Sequence, residues 1–193
     1  MVTHKNVKTA GGKNIDIYDG LFTDSEIALI YNFCQTQNYY VGYLDTSNVL
    51  YNSNKANTFF AFRDRIESIK YQLPLLYRLL ETPETQKVTQ SVLKYVDSYS
   101  ILANPSSVRH KYHIDRPVGS NKKTILYYAN SNWDKEWGGG TSFLDENEDF
   151  ALSTQYKPGR VIIYDSDIVH KPAPLENSSE LRFVIVIGFL ANG

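Results

Sequence analysis

The sequence contains one cysteine, Cys34, and one methionine, Met1. A single thiol excludes an intramolecular disulfide and any metal centre built from several thiolates, and it suits a reducing compartment. No apolar run approaches the ~20 residues of a membrane-spanning helix; the longest, residues 183–190, has eight. The N-terminus, Met-Val-Thr-His-Lys-Asn, lacks the apolar segment of a secretory signal. The protein is therefore expected to be soluble and cytoplasmic, with no membrane partner. Charge of either sign is also scarce: 20 basic against 21 acidic residues leave a net charge of -1. Such a balance supplies little phosphate attraction, which argues against nucleic acid as a partner. Repeats and low-complexity linkers are missing too, so residues 1–193 are expected to form one domain.

What the chain does carry is aromatic: 15 Tyr and 9 Phe, residues that favour strands. Residues 14–18 alternate apolar and polar as a short strand does. Thr23-Asp24-Ser25-Glu26 is a capping box, with Phe22 and Ile27 placed to staple it. Ile27, Ile30, Phe33 and Cys34 continue at helical spacing, which makes Cys34 a core thiol. Residues 38–60, rich in Asn, Ser and Tyr, predict loop with one or two weak strands. A second helix is expected from about Arg63 through Ile66, Ile69 and Leu73. Pro74 should interrupt or restart it, Leu75, Leu76, Leu79 and Leu80 extend its apolar face, and Pro83-Glu84 opens a further short helix. The front half thus predicts mainly α. From about Val88 the pattern turns to β. Strands are expected over Lys94–Leu102 (Tyr95, Asp97, Tyr99 and Ile101 on one face) and Lys123–Ala129 (Thr124, Leu126 and Tyr128 opposite Ile125 and Tyr127). Two more are expected over Arg160–Asp165, after the Pro158-Gly159 turn, and Leu181–Leu190. Helices followed by many short strands predict an α+β domain whose strands close as a sandwich or barrel.

The chemistry centres on His113 and Asp115. Two positions apart on extended chain, their side chains project to one face. An imidazole and a carboxylate there supply two ligands of a 2-His-1-carboxylate facial triad, the set that leaves open positions on non-haem Fe(II). His170, just beyond the Arg160–Asp165 strand, is the candidate third ligand. Arg182 enters the last strand, where it shares a face with Val184, Val186 and Gly188 while the opposite face is equally apolar. A buried guanidinium needs a partner, either an acidic residue of the protein or the carboxylate of a bound molecule. His4 and His110 receive no role. Tyr112 and Arg109, beside the ligands, are candidate substrate contacts. Trp133 and Trp137 are expected to pack, Gly138–Gly140 to turn, and Lys122 and Lys123 to lie in a solvated turn.

The order His-x-Asp, then His, then a strand-borne Arg resembles the Fe(II)/2-oxoglutarate-dependent oxygenase superfamily, and within it the prolyl 4-hydroxylase-like branch. The resemblance covers roughly residues 94–190. His113-Ile114-Asp115 matches the ligand motif, and His170, 55 positions after Asp115, the distal ligand. Arg182, 12 positions further on, matches the residue that binds the far carboxylate of 2-oxoglutarate. Residues 124–133 resemble a T-x-L-Y-Y-x-N-x-x-W block in which Tyr128 also bonds the co-substrate, and residues 137–143 a W-G-G-x-T-x-F turn. The implied fold is a double-stranded β-helix, or jelly roll (about 91–193), backed by N-terminal helices (about 1–90). The implied activity is a dioxygenase using Fe(II), 2-oxoglutarate and O2, with ascorbate stimulatory, that hydroxylates a C–H bond, peptidyl proline first. The alternatives are another amino-acid side chain, a small molecule, a non-catalytic jelly-roll binding module, and, more weakly, a zinc hydrolase.

Overall fold

In the computed structural model, which describes residues 1–41, 60–65, 71, 74–75 and 98–190, local chemistry fixes one helix and sheet pairing fixes the rest. Helix α1 (Asp24–Gln35) starts at Thr23, whose hydroxyl accepts the Glu26 amide while the Glu26 carboxylate accepts the Thr23 amide. Two orphan donors of the first turn are thereby satisfied. The helix buries Ile27, Ile30 and Cys34, and Phe22 joins them in the core.

Eleven strands are described: β1 (Thr3–Lys8), β2 (Asn14–Asp19), β3 (Tyr40–Val41), β4 (Phe60–Arg65), β5 (Ser98–Asn104), β6 (Lys122–Tyr128), β7 (Thr141–Leu144), β8 (Phe150–Thr154), β9 (Val161–Asp165), β10 (His170–Pro172) and β11 (Arg182–Leu190). They form an eight-stranded sheet, β1-β2-β9-β6-β11-β5-β4-β3, and a three-stranded sheet, β10-β7-β8. Alternation along the central strands sorts two cores. Tyr99, Ile101, Ile125, Tyr127, Ile185 and Ile187 pack toward α1. Leu126, Tyr128, Ile162, Tyr164 and Val184 face the other way and meet Phe143 of the small sheet. The architecture is a double-stranded β-helix with α1 packed on the outer face of its larger sheet.

The structure departs from the sequence reading at three places. Phe60–Arg65 is a strand, not the approach to a helix. Phe-Ala-Phe-Arg alternates with period two, and the segment pairs with β5 from Phe60↔Ala103 to Arg65↔Ser98, so cross-strand pairing overrides helical spacing. The rest of that helix expectation, with Ile66, Ile69, Leu73, Leu76, Leu79, Leu80 and the Pro83-Glu84 start, lies outside the described residues, as do Tyr95 and Asp97; Tyr71, Pro74 and Leu75 are helical. The described part of the front half is richer in strand than in helix, because β1 to β4 extend both edges of the large sheet. Lys122 and Lys123 open β6 instead of lying in a turn, and Lys123 Nζ pairs with Asp165 Oδ1 at 2.7 Å. Among the described residues no helix is long and apolar enough to cross a membrane.

Candidate metal and co-substrate site

Sheet pairing brings the two candidate histidines together. The His113 amide donates to the His170 carbonyl at 3.0 Å, and the His170 amide returns the bond at 2.9 Å. Directly opposed residues of an antiparallel pair present their side chains to one face. Two positions on, Asp115 regains that face, its amide held by the Ser166 carbonyl at 2.9 Å. One donor atom from each of His113, Asp115 and His170 lies within 4.8 Å of the others. Asp115 Oδ1 is 3.8 Å from His113 Nε2 and 3.7 Å from His170 Nε2.

The hydrogen bonds around these residues set which atoms are available. His113 Nδ1 lies 3.0 Å from the Lys111 carbonyl and His170 Nδ1 lies 2.9 Å from the Ile168 carbonyl. A carbonyl can only accept, so each Nδ1 carries the proton and each Nε2 keeps a lone pair. Asp115 Oδ2 accepts from Thr124 Oγ1 at 2.8 Å and from the Tyr164 hydroxyl at 2.7 Å, which leaves Oδ1 turned toward the two imidazoles. Burial pushes the His170 pKa below its ordinary value, again favouring the neutral ligand form. Two nitrogens and one oxygen on one side, with the other side open to a cavity, fit a six-coordinate Fe(II).

That cavity, about 390 Å³, runs from the triad to Arg182 between apolar walls that include Leu102, Leu126, Val184 and Val186. Arg182 is 2% exposed. Its Nε donates to the Gly139 carbonyl at 2.5 Å, while Nη2 is buried without a partner. Among the described residues no carboxylate lies within 4.0 Å of it, so a salt bridge within the protein, one of the two readings of the sequence, is not formed there. The Arg182 carbon Cζ sits 5.5 Å from the Tyr128 ring centre and 5.6 Å from that of Tyr156, and burial lowers its pKa. Gly139 makes the approach possible: its φ is +75°, and a Cβ there would fall 2.8 Å from Leu175 and 3.3 Å from Arg182 Cδ.

The remaining residues singled out in the sequence are not among those that line the cavity. The Tyr128 hydroxyl donates to Thr141 Oγ1 at 2.8 Å and lies 2.9 Å from Thr154 Oγ1; it is Thr141 that lines the cavity. Arg109 Nη1 donates to the carbonyls of Ser106 (2.6 Å) and Val108 (3.2 Å). Tyr112 lies under Lys171, whose Nζ is 4.3 Å from the ring centre. Trp133 packs on Trp137 and Tyr156. His4 bonds to Asp16 at 2.7 Å. Sequence reasoning overlooked His110, which lines the cavity and whose pKa burial pushes down to about 4. It also overlooked Tyr164 and Thr124 as partners of Asp115. The period-two pattern put Thr124 on the face of Leu126, and only sheet pairing shows that this face carries Asp115.

Residues 99–189 match the sequence model of the 2OG-Fe(II) oxygenase superfamily. The match spans 91 of the 193 residues and takes in His113, Asp115, His170 and Arg182. The chain is accordingly an enzyme of the kind that this model describes, with Fe(II), 2-oxoglutarate and O2 as its reactive partners. No curated protein sequence matches the chain significantly. Solved structures do. A prolyl-4-hydroxylase from Pseudomonas putida is similar at TM-score 0.64 and 12% identity, over 93% of each chain. A prolyl hydroxylase from Trichoplax adhaerens, in complex with a hypoxia inducible factor peptide fragment, is similar at TM-score 0.62 and 21% identity, over 92% of this chain and 83% of that one. The non-heme alpha ketoglutarate dependent epimerase SnoN from nogalamycin biosynthesis is similar at TM-score 0.63 and 11% identity, over 91% and 77%. At these identities the likeness is one of fold.

Proposed function

We propose that this oxygenase is a prolyl 4-hydroxylase-like hydroxylase in which His113, Asp115 and His170 hold Fe(II) and Arg182 receives the far carboxylate of 2-oxoglutarate. The observation that carries the proposal is the buried Arg182 guanidinium, lacking a carboxylate partner among the described residues, in the same cavity as the three ligand atoms. When bound, the iron couples decarboxylation of 2-oxoglutarate to succinate and CO2 with transfer of one oxygen atom of O2 into a substrate C–H bond.

The chain's own residues prepare for this chemistry. Thr124 and Tyr164 occupy Asp115 Oδ2 and so limit the carboxylate to one coordinating oxygen. The Lys111 and Ile168 carbonyls hold both imidazoles in the tautomer that binds metal. At the other end, the Gly139 carbonyl takes Arg182 Nε and leaves the outer edge of the guanidinium for a bidentate carboxylate. Tyr128 acts through Thr141: by donating to Thr141 Oγ1 it frees the threonine proton for a second bond to the same carboxylate. Leu102, Leu126, Val184 and Val186 keep water from the ion pair, which strengthens it. No side chain is required as a separate acid or base.

Peptidyl proline is the leading substrate, supported by the fold shared with two prolyl hydroxylases. The equal likeness to SnoN supports a second reading, the same oxidation on a small molecule. Anaerobic titration with Fe(II) and 2-oxoglutarate should give a saturable visible charge-transfer band that disappears in His170→Ala. A folded protein that binds metal without that band would refute the ligand and co-substrate assignment. Amide-capped proline peptides should then raise succinate formation with ascorbate present; stimulation by small molecules alone would move the substrate to the second reading.

A further inference from the structure

We infer that Arg116 is a specificity determinant that receives a carboxylate of the substrate at the mouth of the cavity, an inference that rests on the oxygenase reading of that cavity. Four alternate residues of β11 share the cavity face: Arg182, Val184, Val186 and Gly188. Val184 and Val186 line the cavity. Gly188 ends the row and pairs with Thr124, the residue whose hydroxyl holds Asp115. The Arg116 side chain lies over this glycine, with Nη2 3.5 Å from where a Cβ would stand. A longer side chain at position 188 would compete for the space the guanidinium occupies. The row thus has an arginine at each end, the buried Arg182 and the exposed Arg116, with Gly188 about 20 Å along the strand from Arg182.

Charge around Arg116 is unbalanced. Its amide is used by the Ser166 carbonyl at 3.1 Å, but among the described residues its guanidinium has no carboxylate within 4.0 Å and no hydrogen bond. The acids nearest in sequence are engaged. Asp115 is turned to Thr124, Tyr164 and the imidazoles; Asp165 takes Lys123 at 2.7 Å and the Asn14 amide at 2.8 Å. Asp167 takes Lys13 at 3.2 Å and the Gly119 amide at 3.1 Å. Lys111 adds a cation to the cavity wall, and Lys171 another beside His170. A chain of net charge -1 therefore carries, within a few positions of the three candidate ligands, cations that have no carboxylate within 4.0 Å among the described residues, and such charge attracts an anionic ligand. Of these cations Arg116 has the planar fork that suits a carboxylate. That carboxylate belongs either to an acidic residue next to the oxidised one in a peptide or to a free small-molecule acid.

The test uses wild type and Arg116→Gln, each held anaerobically with Fe(II) and 2-oxoglutarate so that binding is read without turnover. One arm is an amide-capped pentapeptide library with proline at the centre, analysed by affinity selection. The other compares N-acetylproline with its methyl amide by titration. Wild type is expected to enrich Asp or Glu at one peptide position, or to favour the free acid over its amide, and the arm that responds identifies the source. The preference should fall by about tenfold in Arg116→Gln and weaken with added salt. Equal binding of acids and amides, or a preference unchanged in Arg116→Gln, overturns the inference. The charge-transfer band separates the two failures. With the band present in both proteins only the substrate-carboxylate site falls; with the band missing from folded wild type the oxygenase site falls with it. Arg116 is exposed, so thermal unfolding of the variant should match wild type.

Discussion

Asp115 offers the sharpest test of the site because its outer oxygen has two identified partners. Tyr164→Phe removes one of them and keeps the ring, which packs edge-on against Phe143 at 5.0 Å and His170 at 4.9 Å. Thr124→Val removes the other with little change of volume. Loss of an outer partner of a metal ligand lowers metal affinity by about 10- to 100-fold. Both bonds end on the same oxygen, so each single variant retains one and should lie near the lower limit, about tenfold or ~1.4 kcal/mol. The double variant leaves Oδ2 bare and free to swing toward the metal, and should approach a hundredfold. Folding should survive, since a lost hydrogen bond costs about 1 kcal/mol, and thermal unfolding checks this. The assay is anaerobic Fe(II) titration at saturating 2-oxoglutarate, read by the visible band. Iron affinity in the double variant within about twofold of wild type, far short of the outer-partner effect, would mean that the metal does not rest on Asp115.

Arg182→Met should weaken 2-oxoglutarate binding by at least about 30-fold, the lower end for truncating a buried charge pair, with Fe(II) affinity kept. Its thermal stability without 2-oxoglutarate should equal or exceed wild type, because an uncompensated buried cation has been removed; unchanged 2-oxoglutarate affinity would make Arg182 structural. Asp19 accepts two bonds from Arg160, at 2.8 and 2.9 Å, and one from Lys157 at 3.1 Å; Arg160 foremost holds its carboxyl below the ordinary 3.8. A carboxyl depressed in the folded state contributes stability above the unfolded value and loses it as pH falls through the folded one. Asp19→Asn should therefore lower stability by about 1 kcal/mol at neutral pH, in this partly screened setting. The gap from wild type should narrow as pH falls from about 4 through the lower folded value; a gap independent of pH from ~7 down to ~2, as urea unfolding would show, contradicts the pairing. Cys34 is fully buried, and burial raises its thiol pKa. A thiol reagent should label it only in denaturant, and fast labelling of the native protein would show that α1 is not seated on the sheet.

Part of the candidate site was legible from spacing: Thr124 and Arg182 sit on alternating strands, while His113 and Asp115 stand two positions apart outside any named strand. The faces of β6 and β11 follow from their residues alone, as does the cap of α1 at Thr23. β1 left no such mark: Thr-His-Lys-Asn-Val-Lys is an exposed edge strand without an apolar face. At Phe60–Arg65, pairing with β5 decided the matter, and a partner strand is invisible to local spacing. Roles that depend on a second residue were hidden for the same reason. The Tyr128 hydroxyl, expected on the co-substrate, also meets Thr141 and Thr154, contacts that local spacing does not show. Tyr164 and Thr124 announce their face, and only the neighbouring strand shows that Asp115 shares it.

The reciprocal backbone bonds between His113 and His170 bear on how the enzyme acquires its metal. The two histidines are 57 positions apart, and bringing them together requires closing that stretch of chain against its entropy. Sheet pairing does this with main-chain groups, so the pairing itself calls for no metal. On the proposed ligand assignment, loss of the metal should leave both bonds in place, and the emptied protein should reload without refolding. The same arrangement makes the centre fragile to insertions. One extra residue between Ser166 and His170 would turn an imidazole to the opposite face, ending metal binding in a protein that still folds.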